Sequence, residues 1–330
     1  MTDSLGQHLG YSSTITFPLR LRDDYAKIRR FLIIWNECPI GSYLTHLHSQ
    51  TLRIIDANLN RTAEGLRVME DVSRFCLNSP DMSLQLKAQR HRLLENVTYS
   101  TPELLSARNS AGDVGRKTQF EKTSAGSLCS TVSANARRAE QSLRVLEEMA
   151  RLPGSGIDGI IIEEIRYAVY TLEKELVSHI SRQYKTNRLA GQYLILTIND
   201  ESSLSFPDDA GIVQLDPGNS KRGDFLTAAT EAADSCKRIG AMFIVGEFAD
   251  IAVAAKADGV AVDGGSLPPA VLRGLLGIDQ LIGFSAANIE QAIEAEKSGV
   301  DYLMCSGELK NRLAKKVAIP IVVPDRSHAV

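Results

Sequence analysis

DANLNRTAEGLRVMEDVSRF, residues 56–75, returns as SANARRAEQSLRVLEEMARL, residues 133–152, at an offset of 133 − 56 = 77 and without a gap. Eight of the twenty positions are identical: Ala57, Asn58, Arg61, Leu66, Arg67, Val68, Glu70 and Arg74 recur as Ala134, Asn135, Arg138, Leu143, Arg144, Val145, Glu147 and Arg151. Two unrelated amphipathic helices would share mainly their apolar positions, whereas here Asn, Arg and Glu recur too. Both segments are rich in Leu, Ala, Glu and Arg and lack β-branched runs, so both are good helix formers. Arg90-His91 precedes an apolar stretch much as Arg166-Tyr167 does. The simplest account is a duplicated two-helix hairpin, giving four helices with pseudo-twofold symmetry.

Working outward, Asp56 reads as a cap for a helix to about residue 77, and Pro80, Asp81 and Ser83 break and restart the chain. Further helices are expected over about 84–97, 132–152 and 159–182, with a polar loop over 98–131. From residue 191 the pattern changes. Short apolar runs at 193–197, 211–215, 242–245, 259–262, 281–284, 302–305 and 319–323 alternate with helical stretches, which indicates a parallel α/β architecture. The fold class is therefore α + α/β: an all-helical region built from a duplicated hairpin, then a truncated barrel-like parallel domain. The expected boundaries are an extension over 1–51 that is partly disordered, a helical domain over 52–184, a linker over 185–191, a barrel over 192–325 and a tail over 326–330.

The chain has 330 residues, 44% hydrophobic and 23% charged, which excludes a mainly disordered polymer. A formal charge of −3 gives no global attraction for nucleic acid or an acidic membrane face. No run approaches the ~20 apolar residues of a membrane span, and no address segment is visible, so the expected location is cytoplasmic. Five scattered cysteines without a Cys-x-x-Cys fit reduced thiols. His46 and His48 lie two apart with no third ligand nearby and read as surface histidines.

Asn60, Glu64, Arg67, Asp71 and Arg74 are spaced 4, 3, 4 and 3, so they share one helical face; Arg137, Gln141, Arg144, Glu148 and Arg151 repeat it. Two readings stand side by side. One is a solvated face laced with ion pairs of ~0.2–0.5 kcal/mol each. The other is two such faces meeting across the pseudo-dyad to form a polar cleft, with guanidiniums for phosphate and carboxylates for Mg2+. Nearby candidates are Lys87, Arg90 and His91, and the loop residues Arg108 and Asp113, the latter between Gly112 and Gly115.

These blocks, together with LKAQRH and ARNSAGDVG, resemble the helical domain found fused to thiamine-phosphate synthases, the second, non-ribokinase type of hydroxymethylpyrimidine phosphate kinase. The resemblance spans about residues 52–183. It implies phosphorylation of 4-amino-5-hydroxymethyl-2-methylpyrimidine phosphate to the diphosphate, with ATP as co-substrate and Mg2+ as cofactor. It points to Asn58, Asn60, Arg61, Arg67, Lys87, Arg90, His91, Arg108, Asn135, Arg138 and Arg144 for substrate and phosphate, to Glu64, Asp71 and Asp113 for catalysis, and to Glu70, Asp71 and Asp113 for the metal. No G-x-x-x-x-G-K-[ST] loop is present, so the kinase expectation rests on the resemblance.

Residues 192–323 are similar to thiamine-phosphate synthase, a TIM-barrel enzyme, through Gln214-Leu215, Ala257-Asp258-Gly259-Val260, Ser266-Leu267-Pro268 and Gly299-Val300-Asp301-Tyr302. Where that family carries a basic cluster, this chain has Asp216-Pro217-Gly218; its two metal aspartates fall at Gly246 and Ser266, its histidine strand end reads Ala261-Val262, and its Gly-Pro strand end is replaced near Ser306-Gly307. The barrel is therefore expected to be catalytically silent, because pyrophosphate departs poorly without Mg2+ and cations. Alternatives are a working thiamine-phosphate synthase and a non-catalytic binder of thiamine-pathway phosphates. A barrel short of one strand exposes an edge, which a homodimer or the N-terminal segment would cover.

Overall fold

The structure, a computed structural model, describes residues 39–113, 126–198, 207 and 210–324, with side chains from His48 onward. Residues 1–38 of the expected extension, the side chain of His46 and the tail lie outside the described residues. The chain divides into two compact units, one that includes Asp56 and Ser100–Asp113, the other Ala57–Tyr99 and the described chain from Gly126 on.

Helix α1 (Pro39–Phe75) is longer than the first repeat suggests. Asp56 is therefore an interior residue and caps nothing. α2 (Pro80–Glu95) opens on Pro80, whose missing N–H costs nothing at a first helical position. The expected loop contains a short helix, α3 (Thr101–Ala107), in the smaller unit; Glu103 Oε2 accepts from Ser100 N at 2.7 Å and Ser100 Oγ at 2.6 Å. α4 (Leu128–Ala150) starts one turn earlier than periodicity indicates, because Ser127 Oγ accepts from Ser130 N at 3.1 Å. α5 (Gly159–Thr186) opens on Asp158, which accepts from Ile160 N at 2.9 Å.

The duplicated pattern folds as two hairpins, α1–α2 and α4–α5. Leu66, Met69, Leu143, Leu146, Ile162, Ile165 and Val169 are fully buried among them. α1 and α4 approach closely at Gly65: a Cβ there would stand 2.8 Å from the Asn135 carbonyl oxygen and 3.3 Å from Ala139 Cβ. Any side chain at 65 would push the two repeats apart.

Seven parallel strands follow, in the order β1 (Tyr193–Thr197), β2 (Ile212–Asp216), β3 (Met242–Gly246), β4 (Gly259–Val262), β5 (Leu281–Ser285), β6 (Tyr302–Met304) and β7 (Ile321–Val322). Helices α6 (Arg222–Ile239), α7 (Ala249–Ala254), α8 (Pro269–Leu275), α9 (Ile289–Lys297) and α10 (Gly307–Leu313) lie in the connections. Alternate strand residues face two cores. Leu194, Val213, Phe243 and Val260 pack toward the helices, while Tyr193, Ile212, Ile244 and Tyr302 fill the concave side. Both faces are covered, which is why the strands read as unbroken apolar runs. This is a truncated, TIM-like half-barrel with β1 and β7 as its end strands.

The expected linker is packed. Arg188 Nη2 donates to Gly240 O at 2.6 Å, and Leu189 is buried in the concave core. The end of α5 meets the residues that enter the strands. Lys185 Nζ lies 3.0 Å from Asp258 and 2.9 Å from Asp279, Arg182 Nε lies 3.0 Å from Asp301, and Ser178 Oγ donates to Ile278 O at 2.6 Å. Asp258, Asp279 and Asp301 precede β4, β5 and β6, so α5 is fastened opposite the strands' C-terminal mouth. No described helix is long and apolar enough to cross a membrane.

Candidate functional site

One cleft of about 380 Å³ sits on the pseudo-symmetric seam between α1 and α4. It is lined by Asn58, Arg61, Glu64 and Gly65 from the first repeat and by Asn135, Arg138, Gln141, Ser142 and Val145 from the second. Four equivalent pairs at the 77-residue offset thus line it together: Asn58 and Asn135, Arg61 and Arg138, Glu64 and Gln141, Gly65 and Ser142. Its volume falls in the ~300–1,000 Å³ range of small-molecule sites.

The stripe that faces the seam is not the one that spacing singles out. Of Asn60, Glu64, Arg67, Asp71 and Arg74, only Glu64 lines the cleft. Arg67 Nη1 donates to Glu70 Oε1 at 3.1 Å and Arg67 Nη2 lies 3.2 Å from Asp71. Arg90 Nε and Nη2 donate to the other oxygen of Glu70 at 3.2 and 3.1 Å. The second repeat has the same arrangement. Arg144 Nη1 donates to Glu147 Oε2 at 2.6 Å, and Arg166 Nε donates to Glu147 Oε1 at 2.5 Å. Glu70 and Glu147 expose only 6% and 7% of their side chains. Each buried carboxylate ties the two helices of its own hairpin through a pair of guanidiniums. Burial of Glu147 works against its charge, but the hydrogen bonds from Arg166 and Arg144 outweigh that and hold its pKa below the usual carboxylate value. Arg166 is in turn held above its ordinary value, first by the bond to Glu147.

The other sequence-derived candidates scatter. Lys87 and Arg74 line a separate hollow of about 510 Å³ beside Ser79 and Ser83. Asn60 and His91 are exposed. In the smaller unit Arg108 grips Asp56 with two bonds of 2.7 and 2.8 Å, and Asp113 is exposed at the end of a turn in which Asn109 Oδ1 accepts from Gly112 N at 2.9 Å. The structure brings together Asn58, Arg61, Glu64, Asn135 and Arg138 from the candidate set and adds Gln141 and Ser142, which were not in it.

What distinguishes the cleft is that its charges are uncommitted. Arg61, Glu64, Arg138 and Gln141 have no hydrogen-bond or ion-pair partner among the described residues, whereas Arg67, Arg90, Arg108, Arg144 and Arg166 all hold carboxylates. Among the described residues no three His, Cys, Asp or Glu side chains gather as a metal cage. One free carboxylate beside two guanidiniums suits Mg2+ of the kind that travels with phosphates and keeps several waters. It does not suit a dedicated protein site. Glu70, expected among the metal ligands, has both oxygens occupied by arginines.

The barrel mouth offers the contrast. Its hollow, about 130 Å³, is lined by Gln214, Asp216, Glu247, Asp263 and Ser285 at the C-terminal strand ends. Gln214 Nε2 donates to Asp216 Oδ1 at 2.6 Å, and Tyr193 Oη donates to Gln214 Oε1 at 2.7 Å. Asp216 lies over Gly246, where a Cβ would stand 2.1 Å from Asp216 Oδ1. Ser266, the other position of a family metal aspartate, donates to Asp263 Oδ1 at 3.2 Å.

Two family models match the chain, the ThiD2 family over residues 53–175 and thiamine monophosphate synthase over residues 202–323. Similar proteins include a thiamine-phosphate synthase of Nostoc punctiforme, 36% identical over 257 residues, covering 76% of this chain and 71% of that protein. Another is a thiamine-phosphate synthase of Rhodopirellula baltica, 34% identical over 276 residues, covering 79% of this chain and 73% of that protein. A solved thiamine phosphate pyrophosphorylase from Pyrococcus furiosus aligns over 42% of this chain and 76% of its own at 23% identity, with a TM-score of 0.37. With a duplicated helical region where the first model matches and a parallel half-barrel where the second does, the chain belongs to the thiamine-phosphate synthase family, as a fusion of a ThiD2-family domain with a thiamine monophosphate synthase domain.

Proposed function

We propose that this enzyme of thiamine biosynthesis works through its helical region, transferring the γ-phosphoryl group of ATP to 4-amino-5-hydroxymethyl-2-methylpyrimidine phosphate. A phosphate oxygen of the acceptor forms the new P–O bond as the bond to ADP breaks. No acceptor proton has to be removed, because the attacking phosphate is already anionic. The difficulty is electrostatic. Two unit negative charges about 4 Å apart repel by roughly 4 kcal/mol at an effective dielectric of about 20. Arg61 and Arg138, one from each repeat, offset that repulsion and hold donor and acceptor together. Glu64 is the cleft carboxylate that would hold Mg2+ arriving with ATP, and the ion would supply further neutralisation of phosphate charge. Asp71 and Asp113 have no role in this reading.

The observation that carries it is that Arg61, Glu64, Arg138 and Gln141 line one cleft on the seam of a duplicated unit with no partner among the described residues. The test is purified protein with ATP, Mg2+ and the pyrimidine phosphate, followed by phosphorus NMR. Formation of the diphosphate and ADP is expected; its absence ends the reading.

In the same reading the barrel is silent. Support comes from its small mouth, from Asp216 over Gly246, and from Ser266 engaged with Asp263. A second reading is favoured by the names of the relatives, which are thiamine-phosphate synthases. Supplying the pyrimidine diphosphate with thiazole phosphate and finding thiamine phosphate would establish it.

A further inference from the structure

The pseudo-symmetry of the cleft fails at two adjacent positions and nowhere else among its four equivalent pairs. Glu64 becomes Gln141, and Gly65 becomes Ser142. Both changes replace a charge or an absent side chain by a neutral hydrogen-bonding group. Ser142 is the more telling. It is only 4% exposed, it lines the cleft, and its hydroxyl has no hydrogen-bond partner among the described residues. A buried helical serine ordinarily bonds the carbonyl four residues back, as Thr62 Oγ1 does to Asn58 O at 2.9 Å. A hydroxyl that opens on a cleft without an internal partner is available to a ligand atom in place of water.

Arg138, Gln141, Ser142 and Val145 succeed one another along one face of α4. At about 1.5 Å per residue they span roughly 10 Å. The order is cation, then mixed amide and hydroxyl, then apolar surface. A carboxylate only accepts hydrogen bonds, whereas an amide both donates and accepts. That pairing suits the edge of an amino-substituted heteroaromatic ring, for the same reason that Gln reads adenine in duplex DNA.

We propose that the second repeat's wall is the ring subsite of the acceptor. Arg138 takes the acceptor's phosphate, Gln141 and Ser142 read the amino and ring-nitrogen edge, and Val145 supports the ring's face. The first repeat, with Glu64 and an open Gly65, is left to the transferred phosphoryl group. The substrate class rests on the kinase reading; the location of the subsite does not.

Calorimetry on the full chain tests this with two probes, 4-amino-5-hydroxymethyl-2-methylpyrimidine phosphate and inorganic pyrophosphate. Gln141→Leu and Ser142→Ala are each expected to weaken the pyrimidine probe by about tenfold and leave pyrophosphate within about twofold of wild type. Arg138→Ala is expected to weaken both. Unchanged pyrimidine binding in both variants overturns the subsite, and so does an equal loss for pyrophosphate or a wild-type protein that does not bind the pyrimidine probe. Gln141 is exposed on α4, so Gln141→Leu keeps the test alive if Ser142→Ala disturbs folding. The two proposals separate cleanly. Gln141-dependent binding without phosphoryl transfer sinks the kinase reading and retains the subsite, and turnover that ignores both variants does the reverse.

Discussion

The cleft between the helical repeats and the mouth of the half-barrel are both polar hollows, but they treat their polar side chains differently. At the barrel mouth Gln214 bonds Asp216, Ser266 beside the mouth bonds Asp263, and Asp216 fills the space over Gly246, which leaves Glu247 and Ser285 without partners among the described residues. In the helical cleft Arg61, Glu64, Arg138 and Gln141 have no partners among the described residues. A self-satisfied set of polar groups must break its own bonds before it can bind anything. An unpaired set at a concave surface has only water to displace. The proposed division, binding in the helical cleft and a silent barrel mouth, is built on this comparison.

Arginine substitutions test that division hardest. Arg61→Ala and Arg138→Ala should each lower kcat/KM for pyrimidine phosphate by about 10²–10³. Arg67→Ala and Arg144→Ala, whose guanidiniums serve Glu70 and Glu147, should cost under about tenfold. Steady-state kinetics on the four proteins decides, and equal losses in all four would erase the distinction between committed and uncommitted arginines.

The same arginines predict a stability effect elsewhere. Glu147→Ala leaves Arg144 and the largely buried Arg166 without their counter-charge. The expected loss is about 3 kcal/mol by urea unfolding at pH 7. Because the pKa of Glu147 is depressed in the folded state, its contribution is present above the unfolded value of 4.5 and is lost as pH falls through the folded value. The gap between wild type and Glu147→Ala should therefore narrow in acid.

A smaller effect is expected at the barrel mouth. Gly246→Asp, at the position where the resemblance places a metal aspartate, forces a side chain against Asp216 and should destabilise by about 1–3 kcal/mol. Removing the obstruction with Asp216→Ala should recover most of that loss, a coupling visible in a double-mutant cycle. Full additivity would mean that Asp216 does not close the mouth.

Much of this was legible in the chain itself. The duplication was legible because polar identities, not only apolar ones, recur at residues 56–75 and 133–152. The strands were legible because a sheet covered on both faces leaves unbroken apolar runs. The rotational setting of the repeats was not. Spacing shows that Arg67, Asp71 and Arg74 share a face with Glu64, but it does not say which face turns toward the other repeat. Close approach decides that, and Gly65 against the Asn135 carbonyl is where it happens. The available signal was a pair of small residues, Gly65 and Ala139, which let the two helices come near. Asp56 was misread because a cap residue and an interior residue of a longer helix look alike when no breaker precedes them. The filling of Gly246's space by Asp216 joins neighbouring strands far apart in sequence, and no local pattern announces it.

The two repeats also differ where Ala63 is replaced by Glu140. Burial and the nearby carboxylate of Glu173 raise the pKa of Glu140 to about 7, against the pull of Arg137 and Arg166. In the folded state Glu140 holds a proton that the unfolded chain has already released above pH 4.5. Stability should consequently fall as pH rises from about 4.5 to about 7 and then level off. Glu140→Gln removes this penalty. It should match wild type near pH 4.5 and exceed it at pH 8 by about 1 kcal/mol, a figure kept small because the site is partly solvated. Melting temperatures at the two pH values suffice. A gain that is the same at both would assign the effect to packing of the amide, and the contrast between Ala63 in the first repeat and a protonated Glu140 in the second would lose its basis.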